Sequence, residues 1–506
     1  VGGAKPPWER SGEVFEEICE TKPNRAGTRR LLPMDNGLID WIDPAAPPAA
    51  EVETEVLVVG GGACGLTAAL AAAEAGASVL VLEKSRAPGG NSNLSQGMIP
   101  AAATRSQRAA GIEDSPEGMA EDILRKNGRQ SDPARVLHLC RESGPLVDWL
   151  AASHGVVLDV VTDFLYPGFS RHRIHAPPSR KGTALVAGLR KALTRQGRAE
   201  LATGARVEQL VASRADSAVW GARVQIAGQP PSLVRAGKVV LACNGFGANR
   251  ELLRRYIPEM ADALYMGHEG NTGEGIRWGM ALGAATEHMG AYQAHGQVAH
   301  PHGVLLTWAL IATGGCHVNL RGERFCNEYH GYSEHALDVL AQPEGLACAI
   351  FDQRIHDALE AFEDFRQCRE VGAVRRGESP SALAEALRIP PTALEATLAA
   401  FNAAARGEAP DAFGRRDFGA PLTAPLYGVR VTGALFHTQG GLRVDSHARV
   451  LRPDGRPIAH LFAGGGVAAG ISGDGCAGYL SGNGLLTATV LGRLAGLQAA
   501  HELGHG

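Results

Sequence analysis

The sequence has no uninterrupted apolar run of the roughly 18 residues that a membrane-spanning helix needs. No basic segment followed by an apolar one stands at its start, so no secretory leader is expected. Aromatic residues are scarce, at 5%, whereas the 506 residues include Gly 65 and are 45% hydrophobic. That balance suits a turn-rich α/β protein with a large core, and neither disorder nor a membrane. Charge is nearly even, with Lys+Arg 49 against Asp+Glu 53 and a net of −4, so neither nucleic acid nor an anionic membrane is expected as partner. Nine cysteines lack any C-x-x-C pair. An odd, scattered set predicts reduced thiols and a cytoplasmic location rather than a disulfide framework. It also excludes the usual iron–sulfur ligand runs and attached haem.

What is present is organised around residues 54–83, TEVLVVGGGACGLTAALAAAEAGASVLVLE. Glu55 to Val59 is a valine-rich run, as a strand buried on both faces would be. Gly60, Gly62 and Gly65 fit G-x-G-x-x-G. The first glycine permits a tight turn, the second lets a pyrophosphate approach the backbone, and the third lets helix pack on strand. An alanine-rich helix is predicted from about Cys64 to Ala75, stopped by Gly76, with a second strand from Ser78 to Leu82. Glu83 ends that strand, where a carboxylate accepts hydrogen bonds from a ribose diol. Together these features predict dinucleotide binding. No second such unit marks a nicotinamide domain, so the dinucleotide is the one redox centre the sequence provides.

Residues 1–53 read as an appended arm ending in an extended linker, Asp43 to Ala50. Pro88 to Gly97 joins glycines to small polar residues, as a flavin-contacting loop would. Ser115 and Pro116 open a helix, and helices are expected through His154. Phe164 to Lys181 is aromatic, basic and rich in proline. It is either a lid whose Arg171, His172, Arg173 or His175 meets an anionic substrate group, or a solvated connection. Val207 to Val224 and Lys238 to Leu241 predict strands, the second entering a glycine turn at Asn244 and Gly245. From Met289 to His437 the βαβ rhythm stops, and helical stretches fill 352–405. A strand entering Gly464–Gly466, then a small-faced helix from Asn483 to Leu497, restore it; that helix's N-terminus suits the pyrimidine edge of a flavin. The fold class predicted is α/β, a Rossmann-like nucleotide domain (54–288 and 438–506) with an inserted α+β capping domain (289–437).

These landmarks resemble the fumarate reductase/succinate dehydrogenase flavoprotein family. The matching pieces are G-G-G-A-C-G-L at 60–66, G-G-N-S at 89–92, L-A-C-N-G-F-G-A-N at 241–249 and N-T-G-E-G at 271–275. R-F-C-N-E at 324–328, H-T-Q-G-G-L at 437–442 and a closing S-G-N-G-L complete them. The resemblance implies FAD, with substrate between the domains over the flavin, whose N5 exchanges hydride with a substrate carbon. It implies cofactor contacts from Gly60, Gly62, Ala63, Cys64, Gly65, Glu83 and Lys84. Further contacts are implied from Gly90, Asn91, Ser92, Gly97, Val207, Asn244, Gly245, Gly465, Gly466, Asn483 and Leu485. Covalent members carry a histidine just before the small-residue loop. None lies between Pro88 and Asn93, so the FAD is expected to be non-covalent.

The family's fumarate reductases clamp a dicarboxylate with two histidines, a Thr-Glu pair and arginines. His295, His437 and Thr307 match the histidines and threonine, but Trp308 replaces the glutamate and Ile311 the next arginine. The proton-donor arginine is Tyr332 here, and the last carboxylate-binding arginine is Tyr479. A phenol cannot neutralise a carboxylate as a guanidinium does. Tyrosine at both positions resembles 3-ketosteroid 1-dehydrogenases and related ketone desaturases. That likeness implies Tyr332 as base at the carbon α to a carbonyl and Tyr479 as donor to its oxygen. A backbone N–H at Asn483 or a neighbour would assist, and His295 and His437 would orient the substrate. Such a reaction needs the developing enolate to meet preorganised donors.

The expected activity is therefore FAD-dependent dehydrogenation α,β to a carbonyl of a ketone or oxo-acid, a small cyclic or branched one fitting as well as a steroid. Electrons would pass to an external acceptor: a quinone, oxygen or a redox protein. Reduction of an activated C=C bond is the first alternative, and a non-catalytic FAD-binding partner the second. His300, His302, His317 and His330 have no metal-site spacing and read as solvated or core residues, so no metal centre is expected.

Overall fold

The computed structural model describes residues 37–505; the first 36 residues of the predicted arm lie outside the described residues. Five strands run parallel at the centre of the larger sheet, in the spatial order Ala199–Thr203, Val79–Glu83, Val52–Val59, Ser232–Leu241 and Pro457–Ala463. Val56 to Val58 are wholly inaccessible, as the valine run demanded. The helix that follows, Ala63–Glu74, is buried from Ala63 to Ala73, which explains its apolar character all round.

Glycine makes this unit close-packed. Gly60 has φ +113°, and a Cβ there would stand 2.5 Å from the Ala242 carbonyl oxygen. A Cβ on Gly65 would lie 1.9 Å from the Gly60 oxygen. The final helix, Asn483–His501, crosses the first at equally short range. Cβ atoms on its Gly492 and Gly496 would come within 2.4 and 2.1 Å of the Cys64 and Ala68 oxygens.

An antiparallel meander of Ala205–Ser213 and Val219–Ile226 joins the sheet through Ser232–Leu241. Ile39–Ile42, inside the stretch read as an arm, is instead a strand parallel to Ala205–Ser213. Its two isoleucines are buried while Asp40 and Trp41 are half-exposed, a pattern too short to read as a strand from sequence. The linker that follows begins in a turn, with the Ala46 N–H bonded to the Asp43 carbonyl. The loop Pro88–Gly97 likewise holds a short helical turn, Gly90–Leu94.

A second sheet of seven strands is built on one long strand, Leu426–Thr438, flanked by Tyr292–Ala299 and Leu346–Asp352. His295 pairs with Ala434 and Ala294 with Leu435, but Gln293 pairs with His437. Phe436 is thus an extra residue, a bulge of the kind that re-aims side chains beside functional sites.

Candidate active site

A continuous cavity of about 330 Å³ runs from the glycine turn at Gly60 and Gly62 to a cluster of aromatic side chains under the second sheet. At the glycine end, the Glu83 carboxylate accepts the N–H groups of Gly61 (2.8 Å) and Ser85 (2.7 Å), which fixes it facing the cavity. The neighbouring Lys84 ammonium lies 2.8 Å from Glu274. Burial pushes the Glu274 carboxyl up, but Lys84, Thr272 and a backbone N–H together more than offset this and hold it below the usual range.

The residues fit a dinucleotide. Gly62 begins the first helix and brings no capping side chain of its own, and its missing Cβ would find no protein atom closer than 3.5 Å. Gly482 begins the final helix in the same way, and both glycines line the cavity. Two helix N-termini therefore turn their positive dipole ends to one space, suited to a pyrophosphate and an electron-rich ring. Ser92 Oγ accepts from the Ala63 N–H at 3.0 Å. Asn91 ties three motifs together. Its Oδ1 accepts from the His268 N–H and from Asn271 Nδ2 (2.6 and 2.8 Å), and its Nδ2 donates to the Phe436 oxygen at 3.2 Å.

Val207, Asn244, Gly465, Gly466 and Leu485 line the same cavity, as do Ala63, Cys64 and Gly90. Gly65, Gly97, Gly245 and Asn483 do not. Asn483 is fully buried, its N–H bonded to the Leu480 oxygen and its Nδ2 to Ser472. The amide next to Tyr479 is that of Gly484, whose N–H donates to the Tyr479 hydroxyl at 3.4 Å.

All five residues expected at the reacting end, His295, Thr307, Tyr332, His437 and Tyr479, line the cavity. The rings of Tyr332 and Tyr479 meet edge-on with centroids 6.4 Å apart. His295 stacks on Tyr332 at 5.0 Å, and His437 meets Tyr479 edge-on at 5.4 Å. Trp308 closes the side, 5.8 Å from His295 and 6.2 Å from Tyr332.

Burial decides the protonation of this end. It pushes His295 down to about 3, with His335 adding to the effect, and His437 down to about 4. Both rings are neutral at pH 7. His295 Nδ1 accepts from the Gln297 N–H (3.1 Å), and His437 Nδ1 pairs with Gln439 Nε2 (3.0 Å). Gln439 Oε1 is taken by Ser472, which orients that amide, so both histidines keep the proton on Nε2 as neutral donors. Burial also pushes Tyr479 up to about 12, against the pull of the Gly484 and Gly482 N–H groups. Tyr332 is driven well above the usual tyrosine range by burial first and by the Tyr479 phenol second, while Ser481 pulls it back.

The segment Phe164 to Lys181 divides. Phe164, Tyr166 and Pro167 line the cavity mouth, but none of the four basic residues does. Arg173 is buried and bonded to Asp114 and Asp122, and His175 to Thr104 at 2.8 Å. These groups are structural. No arginine lines the cavity among the described residues; a carboxylate, Asp364, does. Phe436 and Asp364 were missed in the sequence because each reaches the site through folding rather than through a motif of its own, whereas Ser481 and Gly484 lie within the closing S-G-N-G-L motif.

The family model described as "FAD binding domain" matches residues 55–485. The chain belongs to the fumarate reductase/succinate dehydrogenase flavoprotein family, and FAD is its cofactor. It is 32% identical to the NADH:fumarate oxidoreductase of Klebsiella pneumoniae (strain 342), with 89% of this chain and 48% of that one covered, and so spans about half its length. It is 29% identical to the 4-oxocyclohexanecarboxylate 2-dehydrogenase of Sinomonas cyclohexanicum, covering 87% of this chain and 93% of that one. Among solved structures, the 3-ketosteroid-Δ4-(5α)-dehydrogenase of Rhodococcus jostii RHA1 superposes with TM-score 0.73 at 26% identity, covering 91% of this chain and 99% of that one. The chain is thus a member of an FAD-dependent oxidoreductase family. Among the described residues no helix is long and apolar enough to cross a membrane.

Proposed function

We propose that the protein introduces a C=C bond α,β to the carbonyl of a small cyclic ketone or oxo-acid. One observation carries this reading: two phenols, Tyr332 and Tyr479, converge where the family's fumarate reductases have arginines, in a cavity lined by no arginine among the described residues. Similarity to a cyclic oxo-acid dehydrogenase supports the substrate class. Non-covalently held FAD supplies a two-electron hydride acceptor. Tyr479, already accepting from Gly484, keeps its own proton to donate to the substrate carbonyl oxygen. That bond acidifies the α carbon, whose proton Tyr332 removes. The Ser481 hydroxyl, 3.1 Å from Tyr332, stabilises the phenolate. The neutral Nε2–H groups of His295 and His437 and the Thr307 hydroxyl orient the remaining polar group. Electrons then leave to a quinone, oxygen or a redox protein.

A second reading, reduction of an activated C=C bond, is favoured by the burial that keeps Tyr332 protonated and able to donate. Anaerobic mixing separates the two. Bleaching of bound flavin by cyclohexanone or 4-oxocyclohexanecarboxylate supports dehydrogenation. Reaction of only the pre-reduced protein, with an enone or enoate, would overturn it in favour of reduction.

A further inference from the structure

Tyr332 sits in the middle of a segment that folds back on itself and brings three unlike donors together behind the active-site wall. Cys326 Sγ lies 3.3 Å from His335 Nδ1. Asp338 Oδ2 lies 3.6 Å from the same nitrogen, and the three atoms are all within 4.8 Å of one another. Donors around one tetrahedral ion stand roughly 3.3–3.6 Å apart, given metal bonds of about 2.3 Å to sulfur and about 2.0–2.1 Å to nitrogen or oxygen.

The surroundings are those of a ligand set as well. His335 is buried, and its other nitrogen, Nε2, is in hydrogen-bond contact with His317 Nδ1. A metal on Nδ1 leaves Nε2–H as the donor in that contact, the usual arrangement for a ligating histidine. Asp338 is oriented by His330, whose Nε2 is 3.2 Å from the same carboxylate oxygen. Asp338 is 36% exposed, which gives an ion a way in.

We propose that Cys326, His335 and Asp338 bind one divalent transition-metal ion. A thiolate, an imidazole and a carboxylate together select zinc over calcium or magnesium, with water in the fourth position. Binding releases the Cys326 thiol proton. Because the ligands bracket Tyr332 in the chain, and His335 packs on Trp308 at 5.6 Å, the ion is a clamp on the segment that positions this phenol. The effect on turnover rests on the role assigned to Tyr332; the binding of the ion does not.

The test uses the full chain loaded with FAD, stripped of metal by a chelator and titrated with Co²⁺, read as difference spectra. One equivalent should bind with tetrahedral ligand-field bands and a sulfur-to-cobalt charge-transfer band. Zn²⁺ should displace it and raise the thermal midpoint. Cys326→Ser should lose the charge-transfer band and bind at least ~100-fold more weakly, the upper end of what loss of a mere orienting partner costs. Cys368→Ser, a buried cysteine outside the cluster, should keep the band. Absence of stoichiometric Co²⁺ binding by the unaltered chain, or an unchanged spectrum in Cys326→Ser, overturns the proposal and leaves a hydrogen-bonded cluster. Both readouts are independent of turnover, so a failed role for Tyr332 would not be mistaken for a missing metal.

Discussion

The Tyr332 hydroxyl lies 3.1 Å from Oγ of Ser481, a residue two positions beyond Tyr479. Both residues line the cavity, so the bond links Tyr332 to the segment that carries Tyr479. Tyr332→Phe should retain FAD and still bind ligand while turnover falls 10²-fold or more, the usual scale for a general base. Tyr479→Phe should lose a comparable factor and also bind carbonyl ligands less tightly. Stopped-flow flavin reduction measures both, and turnover like the parent's in Tyr332→Phe contradicts the assignment.

The burial that raises Tyr332 fixes a pH dependence. In the oxidative direction proposed for Tyr332 as base, the phenolate would be the active form, and a raised pKa leaves little of it at pH 7. Flavin reduction by a saturated ketone should therefore climb steadily with pH across the range from 7 to 10. The reverse reaction uses the protonated phenol and should be flat there. A bell centred near neutrality would mean that another group is the base.

Two glycines of one motif should fail differently. Gly62 has room on the protein side, so Gly62→Ala should fold and lose FAD, seen as colourless protein with its thermal transition intact. Gly65→Ala drives a methyl to 1.9 Å from the Gly60 oxygen and should not accumulate as folded protein. Equal FAD content in the two variants would refute the separation of roles.

Three of the buried histidines illustrate how the fold becomes acid-sensitive. His175 and His437 are pushed down to about 4 and His295 to about 3, each by burial first. Above pH ~6.5 the folded and unfolded chains are both neutral at these sites. As pH falls below that, the unfolded chain takes up protons that the folded one cannot, so stability drops by up to about 1.4 kcal/mol per unit for each group. The loss levels off below pH 3–4, where the folded rings also protonate. Urea midpoints at pH 7 and 5 should differ, and the difference should shrink in His437→Gln. Identical differences would show that His437 titrates normally.

Asp364 should act on substrate choice. It lines the cavity with Oδ2 buried and unpartnered, and burial pushes its carboxyl up to about 6. Its charge at pH 7 repels an acidic substrate. Asp364→Asn should raise kcat/KM for 4-oxocyclohexanecarboxylate about tenfold relative to cyclohexanone, a difference of ~1.4 kcal/mol. An unchanged ratio would place the substrate's acid group elsewhere.

The sequence made the nucleotide turn legible because steric rules act locally there: each glycine of Gly60, Gly62 and Gly65 answers to a different close approach. Tyr332 and Tyr479 were legible as departures at matched positions. What escaped notice depends on contacts across the chain. Asn91 was expected at the cofactor, but not its bonds to residues near 270 and 436, and Asp364 reaches the cavity from a surface helix. The Gly484 N–H is backbone, and no residue type announces it. Arg173 misled because its partners, Asp114 and Asp122, lie more than fifty residues earlier. Ile39–Ile42 is too brief for periodicity to register.

The bulge at Phe436 has a consequence for how such a site diversifies. Side chains alternate across a strand, so removing one residue there would turn His437 from the cavity to the opposite face. The sheet on one side and the glycine turns on the other would be left as they are. Alignment of the long strand, and not the identity of the histidine, then decides whether an imidazole meets the substrate. A single-codon deletion could empty or refill that position without a new side chain arising.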